Sequence, residues 1–261
     1  MTEQVDISDG GGILRIRMNR PEKKNALTRP MYQAMAEGIE RAESDPGIRV
    51  VTISGSEDAF TSGNDLADFL NVAESSDGNP ALRFLSAIST ARKPLLAGVN
   101  GFAVGIGVTM LLHCDVVYAA ERATFQLPFV NLGLVPEAAS SFLLPRLVGH
   151  HRAADLLLFG NKFNAIAAKE MGLVSSIHPR SELDAILEER AAALSAKPPE
   201  AVRITKELLK GAAFDSAVSA QLGLEQEHFR KQLRSSEARE AMEAVLQKRA
   251  PDFSRLAPKR A

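Results

Sequence analysis

Three glycines within seven residues, Gly101, Gly105 and Gly107, punctuate the stretch KPLLAGVNGFAVGIGVTMLLHCDVVY at residues 93–118. They follow a short apolar run, residues 94–99, that reads as a buried strand. They lead into residues 104–112, an apolar run sized for a helix. A strand feeding a glycine-rich turn that opens a helix does two things. The glycines let a ligand or another backbone come close, and the first helical N–H groups have no intrahelical acceptor. Such groups, with the helix dipole behind them, suit a developing negative charge. The alternative is that Gly105 and Gly107 only let a hydrophobic helix pack tightly, and this stretch alone does not choose between the two.

Phosphate is a poor match for that charge. A dinucleotide fingerprint needs G-x-G-x-x-G early in a βαβ unit, whereas Gly105-Ile106-Gly107 is followed by Val108-Thr109-Met110. No G-x-x-x-x-G-K-[ST] occurs either. The oxyanion of a substrate carbonyl becomes the candidate. Ser62-Gly63-Asn64-Asp65 is a second turn of interest, although Asn64 or Asp65 can simply cap a helix running through Phe69. Pro136-Glu137 is a third. Proline favours the first helical position, so a helix is expected from there through Val148, with Glu137 as a favourable first-turn acid.

The elements that must carry these turns follow from periodicity. Residues 13–19 alternate as a half-exposed strand. Thr28 caps a helix whose face bears Met31, Met35 and Ile39, and Asp45-Pro46-Gly47 ends it. Residues 50–54, 115–119, 124–126 and 174–177 read as strands, and 81–90, 151–159 and 165–172 as helices. Residues 74–79 read as a surface loop. Beyond about residue 180 only helices are expected, at 182–196, 199–210 and 214–247, the last broken near Arg234-Ser235-Ser236. Strands interleaved with helices make the fold class α/β. The expected division is a core over residues 1–195 and a helical C-terminal region over 196–261.

Composition bounds the function. The 24% charged and 45% hydrophobic residues are ordinary for a soluble globular chain. A net charge of −1 gives no electrostatic case for nucleic acid or an anionic membrane. A single cysteine, Cys114, excludes an internal disulfide and fits a reducing compartment. No membrane span, signal pattern or SKL-type ending is read, so a cytoplasmic protein is expected. No histidine pair has metal-ligand spacing, and no metal site is expected.

Six segments together resemble the crotonase, or enoyl-CoA hydratase/isomerase, superfamily. They are NRPEKKNAL (19–27), AFTSGND (59–65), NGFAVGIG (100–107), CDVVYA (114–119), LGLVPE (132–137) and EAMEAVLQKRAPDF (240–253). They occur in family order across nearly the whole chain. The resemblance implies a spiral of ββα units with a C-terminal helical region that trimerises, often as a dimer of trimers. It implies an acyl-CoA substrate and no cofactor beyond that thioester. It also implies two backbone N–H groups on the thioester oxygen, carried over here to Ser62 and Ile106. The second is usually a glycine, and an isoleucine there can crowd the pocket. Lys24, Ala26 and Leu27 match the segment lining the CoA pantetheine and nucleotide. Gly63, Asn64, Asp65 and Leu66 match the adjoining turn, and Lys248 and Phe253 match a tail that can reach CoA.

Family hydratases carry two glutamates, at positions that match Thr109 and Phe129 here. Phe129 is left as a pocket residue and Glu137 as the one acid in place. PFVNLGLVPEAASS and SGNDL resemble the peroxisomal-type Δ3,Δ2-enoyl-CoA isomerase branch, in which a glutamate at this P-E position is the single base. A double-bond shift from 3-enoyl-CoA to 2-enoyl-CoA is therefore the implied reaction. A hydratase or lyase of the same superfamily, or a non-catalytic acyl-CoA binder, are the alternatives. The ionisation of Glu137 is contested at this stage: a helix start lowers its pKa, and an apolar wall of Phe129, Leu132, Leu134 and Phe142 raises it.

Overall fold

The computed structural model describes residues 2–56, 59–65, 79–211 and 213–256. In chain order it has β1 (Val5–Gly10), β2 (Ile13–Met18), α1 (Arg29–Ser44), β3 (Val50–Gly55), β4 (Ala59–Thr61), α2 (Pro80–Thr90), β5 (Leu95–Val99), β6 (Phe102–Val104) and α3 (Ile106–Thr109). A 3-10 turn, Met110–His113, precedes β7 (Val116–Ala120) and β8 (Thr124–Gln126). Then come α4 (Ser140–Val148), α5 (His150–Phe159), β9 (Phe163–Asn164), α6 (Ala165–Glu170), β10 (Ser176–His178), α7 (Arg180–Ser195), α8 (Pro199–Lys210), α9 (Phe214–Leu233) and α10 (Ser236–Leu246).

From β3 to β8 successive strands alternate between two sheets. The larger has the order β1-β2-β3-β5-β7-β10 and the smaller β4-β6-β8-β9. Each pair β3–β4, β5–β6 and β7–β8 thus sends its first strand to one sheet and its second to the other before a helix returns the chain. This is the spiral of ββα units, with parallel pairing throughout except β1–β2 and β8–β9. The central strands β3 and β5 of the large sheet are buried on both faces because helices cover both. α1 and α2 lie over one face, with Met31, Met35, Ile39, Phe84 and Ile88 in the main core. α7 covers the other, packing Leu183 and Leu187 on Ile13, Val50, Leu96 and Tyr118. α10 docks back onto the main core through Ala238 and Met242.

The differences from expectation are local. β1, β4, β6 and β9 are additional strands, and the helix expected over 104–112 is split into the single turn α3 and a 3-10 turn. The helix expected from Pro136 begins only at Ser140. Among the described residues, no helix is long and apolar enough to cross a membrane.

Candidate active site

The small sheet gathers the chemically suggestive turns. β4 and β6 pair in parallel with Thr61 opposite Ala103, and β6 and β8 with Val104 opposite Gln126. The segments that leave the C-terminal ends of these neighbouring strands are therefore 62–65, 105–107 and 127–129, side by side. The NRPEKKNAL segment closes one flank. Leu27 N–H donates to the Gly63 carbonyl at 2.8 Å, and Asp65 N–H to the Leu27 carbonyl at 2.9 Å. Arg20 Nη1 reaches Asp65 Oδ2 at 2.7 Å. Asn25 locks the loop from inside: it is fully buried with φ +55°, Oδ1 accepts from Arg20 N–H at 2.7 Å, and Nδ2 donates to the Ala59 carbonyl at 2.7 Å.

Hydrogen bonding decides which amides are free. Ser62 is not a free donor, because its N–H is already committed to the Lys24 carbonyl at 3.0 Å. Asn64 is the residue bridged in parallel to Leu27. In that geometry Gly63 and Asp65 supply the bonds to Leu27, and the N–H of Asn64 itself points to the opposite side. It has no acceptor among the described residues. On the neighbouring strand end, Gly105 adopts φ +56°, ψ −116° as the N-cap of α3, a conformation suited to glycine. Val108 and Thr109 N–H bond back to its carbonyl, which leaves the Ile106 N–H, at the first helical position, without an acceptor among the described residues. Gly107 permits this approach of α3 to β4: a Cβ there would lie 2.7 Å from Thr61 Cγ2 and 3.2 Å from the Thr61 carbonyl. Asn64 and Ile106 thus each present an amide without an acceptor among the described residues, each three residues past the paired Thr61 and Ala103.

A cavity of about 550 Å³ opens between α2 and α9. Leu82 and Leu85 form one wall, Leu222 and Phe229 the other, and Asn64 and Glu137 both line it. The side chain of Ile106 does not crowd this space. It is 1% exposed within the main core, because the helix start turns it inward. Phe129 is likewise a core residue and not part of the cavity wall. Leu27 is buried in the core, Ala26 is half-buried, and Lys24 is exposed with Nζ 5.1 Å from the centroid of the Phe102 ring. Lys248 and Phe253 are exposed after α10, and neither lines the cavity. Leu66, the helix expected after Asp65, and most of the loop expected at 74–79 lie outside the described residues.

Glu137 sits ahead of α4 in a turn whose next two residues, Ala138 and Ala139, have φ of +59° and +55°. Left-handed backbone costs an alanine about 1–2 kcal/mol, so something must hold the turn. His113 Nε2 donates to the Ala138 carbonyl at 2.8 Å; burial lowers the pKa of His113 to about 4, so the ring is neutral. Although Glu137 as a residue is partly exposed, its Oε1 is shut off from solvent and has no hydrogen-bond partner among the described residues. Burial, and secondarily the charge of Glu225, raise its pKa to about 8. The dipole argument falls away because the helix begins three residues later. Tyr32 Oη donates to Asn64 Oδ1 at 2.6 Å, and burial together with the charge of Glu137 keeps that phenol protonated.

Tyr32, His113 and Glu225 carry parts of the site that motif reading did not assign. Glu225 had a legible signal: Val218, Leu222 and Phe229 sit on the packed face of α9, and an acid at 225 interrupts that face at helical spacing. Among the described residues no cluster of His, Cys, Asp and Glu is placed to hold a metal ion.

Residues 8–256 match the family model for enoyl-CoA hydratase/isomerase. The chain is 40% identical over 210 residues to enoyl-CoA delta isomerase 2 of Rattus norvegicus, a match covering 78% of this chain and 54% of the rat protein. It therefore spans about half the length of that relative. It is 35% identical over 258 residues to a probable enoyl-CoA hydratase of Rhodobacter capsulatus, covering 97% of this chain and 98% of the other. The crystal structure of an enoyl-CoA hydratase/isomerase from Pseudoalteromonas atlantica T6c superposes with a TM-score of 0.92 at 42% identity, over 96% of this chain and all of that one. With the ββα spiral and these matches along nearly its whole length, the chain belongs to the enoyl-CoA hydratase/isomerase family.

Proposed function

We propose that the chain moves the double bond of a 3-enoyl-CoA to the 2-position. Glu137 takes a proton from C2. The charge of the resulting dienolate rests on the thioester oxygen, between the amides of Asn64 and Ile106, and the same carboxyl returns the proton to C4. The observation that carries this reading is the Glu137 carboxyl: on a cavity wall, with Oε1 enclosed and without a partner among the described residues, and with its pKa raised to about 8. A group titrating near neutrality can both accept the proton and give it back. Each fixed amide on the oxygen contributes roughly 3–4 kcal/mol to lowering the barrier. Thr109 and Phe129, at the two positions where hydratases of the family carry glutamates, are buried and cannot act as carboxylates. The isomerase name of the rat relative supports the same reaction. The CoA moiety lies along Lys24, Ala26 and Leu27 and the Gly63–Asp65 turn, and no cofactor besides this thioester takes part.

Hydration of a 2-enoyl-CoA is the second reading, and one observation favours it: Glu225 adds another carboxylate to the cavity wall. Both of its oxygens, however, are already occupied by backbone donors. Incubation with 3-enoyl-CoA and with 2-enoyl-CoA, followed by mass analysis, separates the outcomes. Isomerisation gives a product of unchanged mass from the 3-enoyl substrate. A product heavier by one water from the 2-enoyl substrate would establish the hydratase, and binding without turnover would establish an acyl-CoA binder. The protein works as a homotrimer or dimer of trimers in this reading. Exposed apolar side chains support it, among them Leu208 and Leu209 on α8 and Leu158 and Phe159 on α5. Sedimentation velocity of the purified chain tests the assembly.

A further inference from the structure

Among the described residues, Glu225 is the one buried acid for which the proposed reaction has no use. It lies in the middle of α9 and is 6% exposed. A carboxylate in such a place is costly unless its lone pairs are engaged. All of its donors come from one short segment. Ala139 N–H donates to Oε2 at 2.6 Å and Ser141 N–H to Oε1 at 2.9 Å, and the Ser141 hydroxyl also donates to Oε1. Gln221, one turn earlier on α9, donates to Ser141 Oγ at 2.8 Å. Both oxygens accept backbone N–H groups, as an ionised carboxylate does. Ala139 is the N-cap of α4 and has no capping side chain, so Glu225 caps this helix from across the cavity wall. With His113 holding the Ala138 carbonyl and Glu225 the Ala139 N–H, the peptide that joins the left-handed pair after Glu137 is held through both of its polar groups.

We propose that Glu225 is a positioning residue: through Ala139 and Ser141 it holds the turn that aims the Glu137 carboxyl into the cavity. This rests on the reading of Glu137 as the base. Its charge acts as well, as the second cause, after burial, of the raised pKa of Glu137. The other titratable groups near the pair are Tyr32 on α1, neutral His113 before β7, Asp215 and Arg230 on α9, and Arg234 just after it.

Glu225→Gln, Ser141→Ala and Glu137→Gln, each in the full chain, test this with 3-enoyl-CoA. A glutamine can accept through one oxygen only and turns an NH₂ group toward the other amide. For Glu225→Gln, kcat is expected to fall about 10²-fold with KM nearly unchanged, as for a misplaced catalytic group. The acid limb of kcat/KM also moves to lower pH, because a negative neighbour is gone. Ser141→Ala loses the hydroxyl's bonds to Glu225 and from Gln221 but keeps both backbone donors and the charge, so kcat falls by a smaller factor and the limb stays in place. Should Glu225→Gln lower only the melting temperature and leave kcat and the limb at parental values, Glu225 is a structural carboxylate and the proposal is overturned. If Glu225→Gln does not fold, Glu225→Asp keeps the charge on a shorter arm. A lower kcat then supports the proposal and an unchanged kcat overturns it. Glu137→Gln separates the two levels: parental turnover there removes the base and this proposal together. An inactive Glu137→Gln beside a fully active Glu225→Gln removes the positioning role alone.

Discussion

Glu137 and Glu225 line the same cavity, and their carboxylates are treated in opposite ways. Glu225 accepts from Ala139 and Ser141 with both oxygens, while Oε1 of Glu137 has no partner among the described residues. Buried polar atoms are rarely left unpaired, and those that are tend to await a ligand or a proton. The saturated acid therefore stays in place and the bare one is available to a substrate.

Replacing Glu137 by Gln keeps the shape and removes the base. We expect kcat on 3-enoyl-CoA to fall by roughly 10³-fold, within the range for a lost general base, with KM changed little. Steady-state kinetics of 2-enoyl-CoA formation measure it. Activity near the parental level would assign the proton transfer to another group.

The pH dependence follows from the same residue. The base works ionised, so kcat/KM should rise with pH through an apparent pKa of about 8. Stability should move the other way. The folded pKa of Glu137 lies above the ordinary 4.5, so its favourable contribution is complete below that value and is lost as pH rises through about 8. Glu137→Gln mimics the protonated form. Its melting temperature should match the parent near pH 4 and exceed it by roughly 2–8 °C at pH 9. Calorimetry at the two pH values checks the crossover.

Gly107→Ala puts a methyl 2.7 Å from Thr61 Cγ2 and 3.2 Å from the Thr61 carbonyl. Either α3 or β4 must shift, and the two ends carry the Ile106 and Asn64 amides. A loss of roughly 1–3 kcal/mol in stability is expected from the overpacking, with a fall in kcat of about tenfold or more as the two donors lose their relation. Denaturant unfolding and kinetics on one preparation read both.

Asn25→Ala tests the flanking loop. The amide satisfies Arg20 N–H and the carbonyls of Ala59 and Phe60 in a fully buried site. Alanine also inherits a φ of +55°. Unpaired buried groups and backbone strain together should cost about 2–5 kcal/mol. Urea unfolding measures the loss, and a change under about 0.5 kcal/mol, the scale of a neutral surface substitution, would show that the loop is held by other contacts.

Much of this was readable from the chain alone. The order of six motifs pointed to the family, since such a series encodes the same succession of turns wherever it occurs. Strong periodicity placed α1, α2 and the large-sheet strands β2, β3, β5, β7 and β10, because a helix stripe or a buried apolar run is a local property. β4, β6 and β9 escaped notice at three, three and two residues, because pairing with distant segments is what makes them strands, and β1 escaped because five of its six residues are exposed and it lacks an apolar run. The same locality limits the site. Glu137 was identifiable as the acid left in place, but which amide was free depended on where Lys24 and Leu27 lay against the 62–65 turn, and that pairing selected Asn64 over Ser62. The start of α4 at Ser140 is capped by Glu225, a residue 86 positions beyond Ala139. Hydrogen-bond ownership and the desolvation of a carboxylate are set by what packs against them in three dimensions, so only the folded chain could decide them.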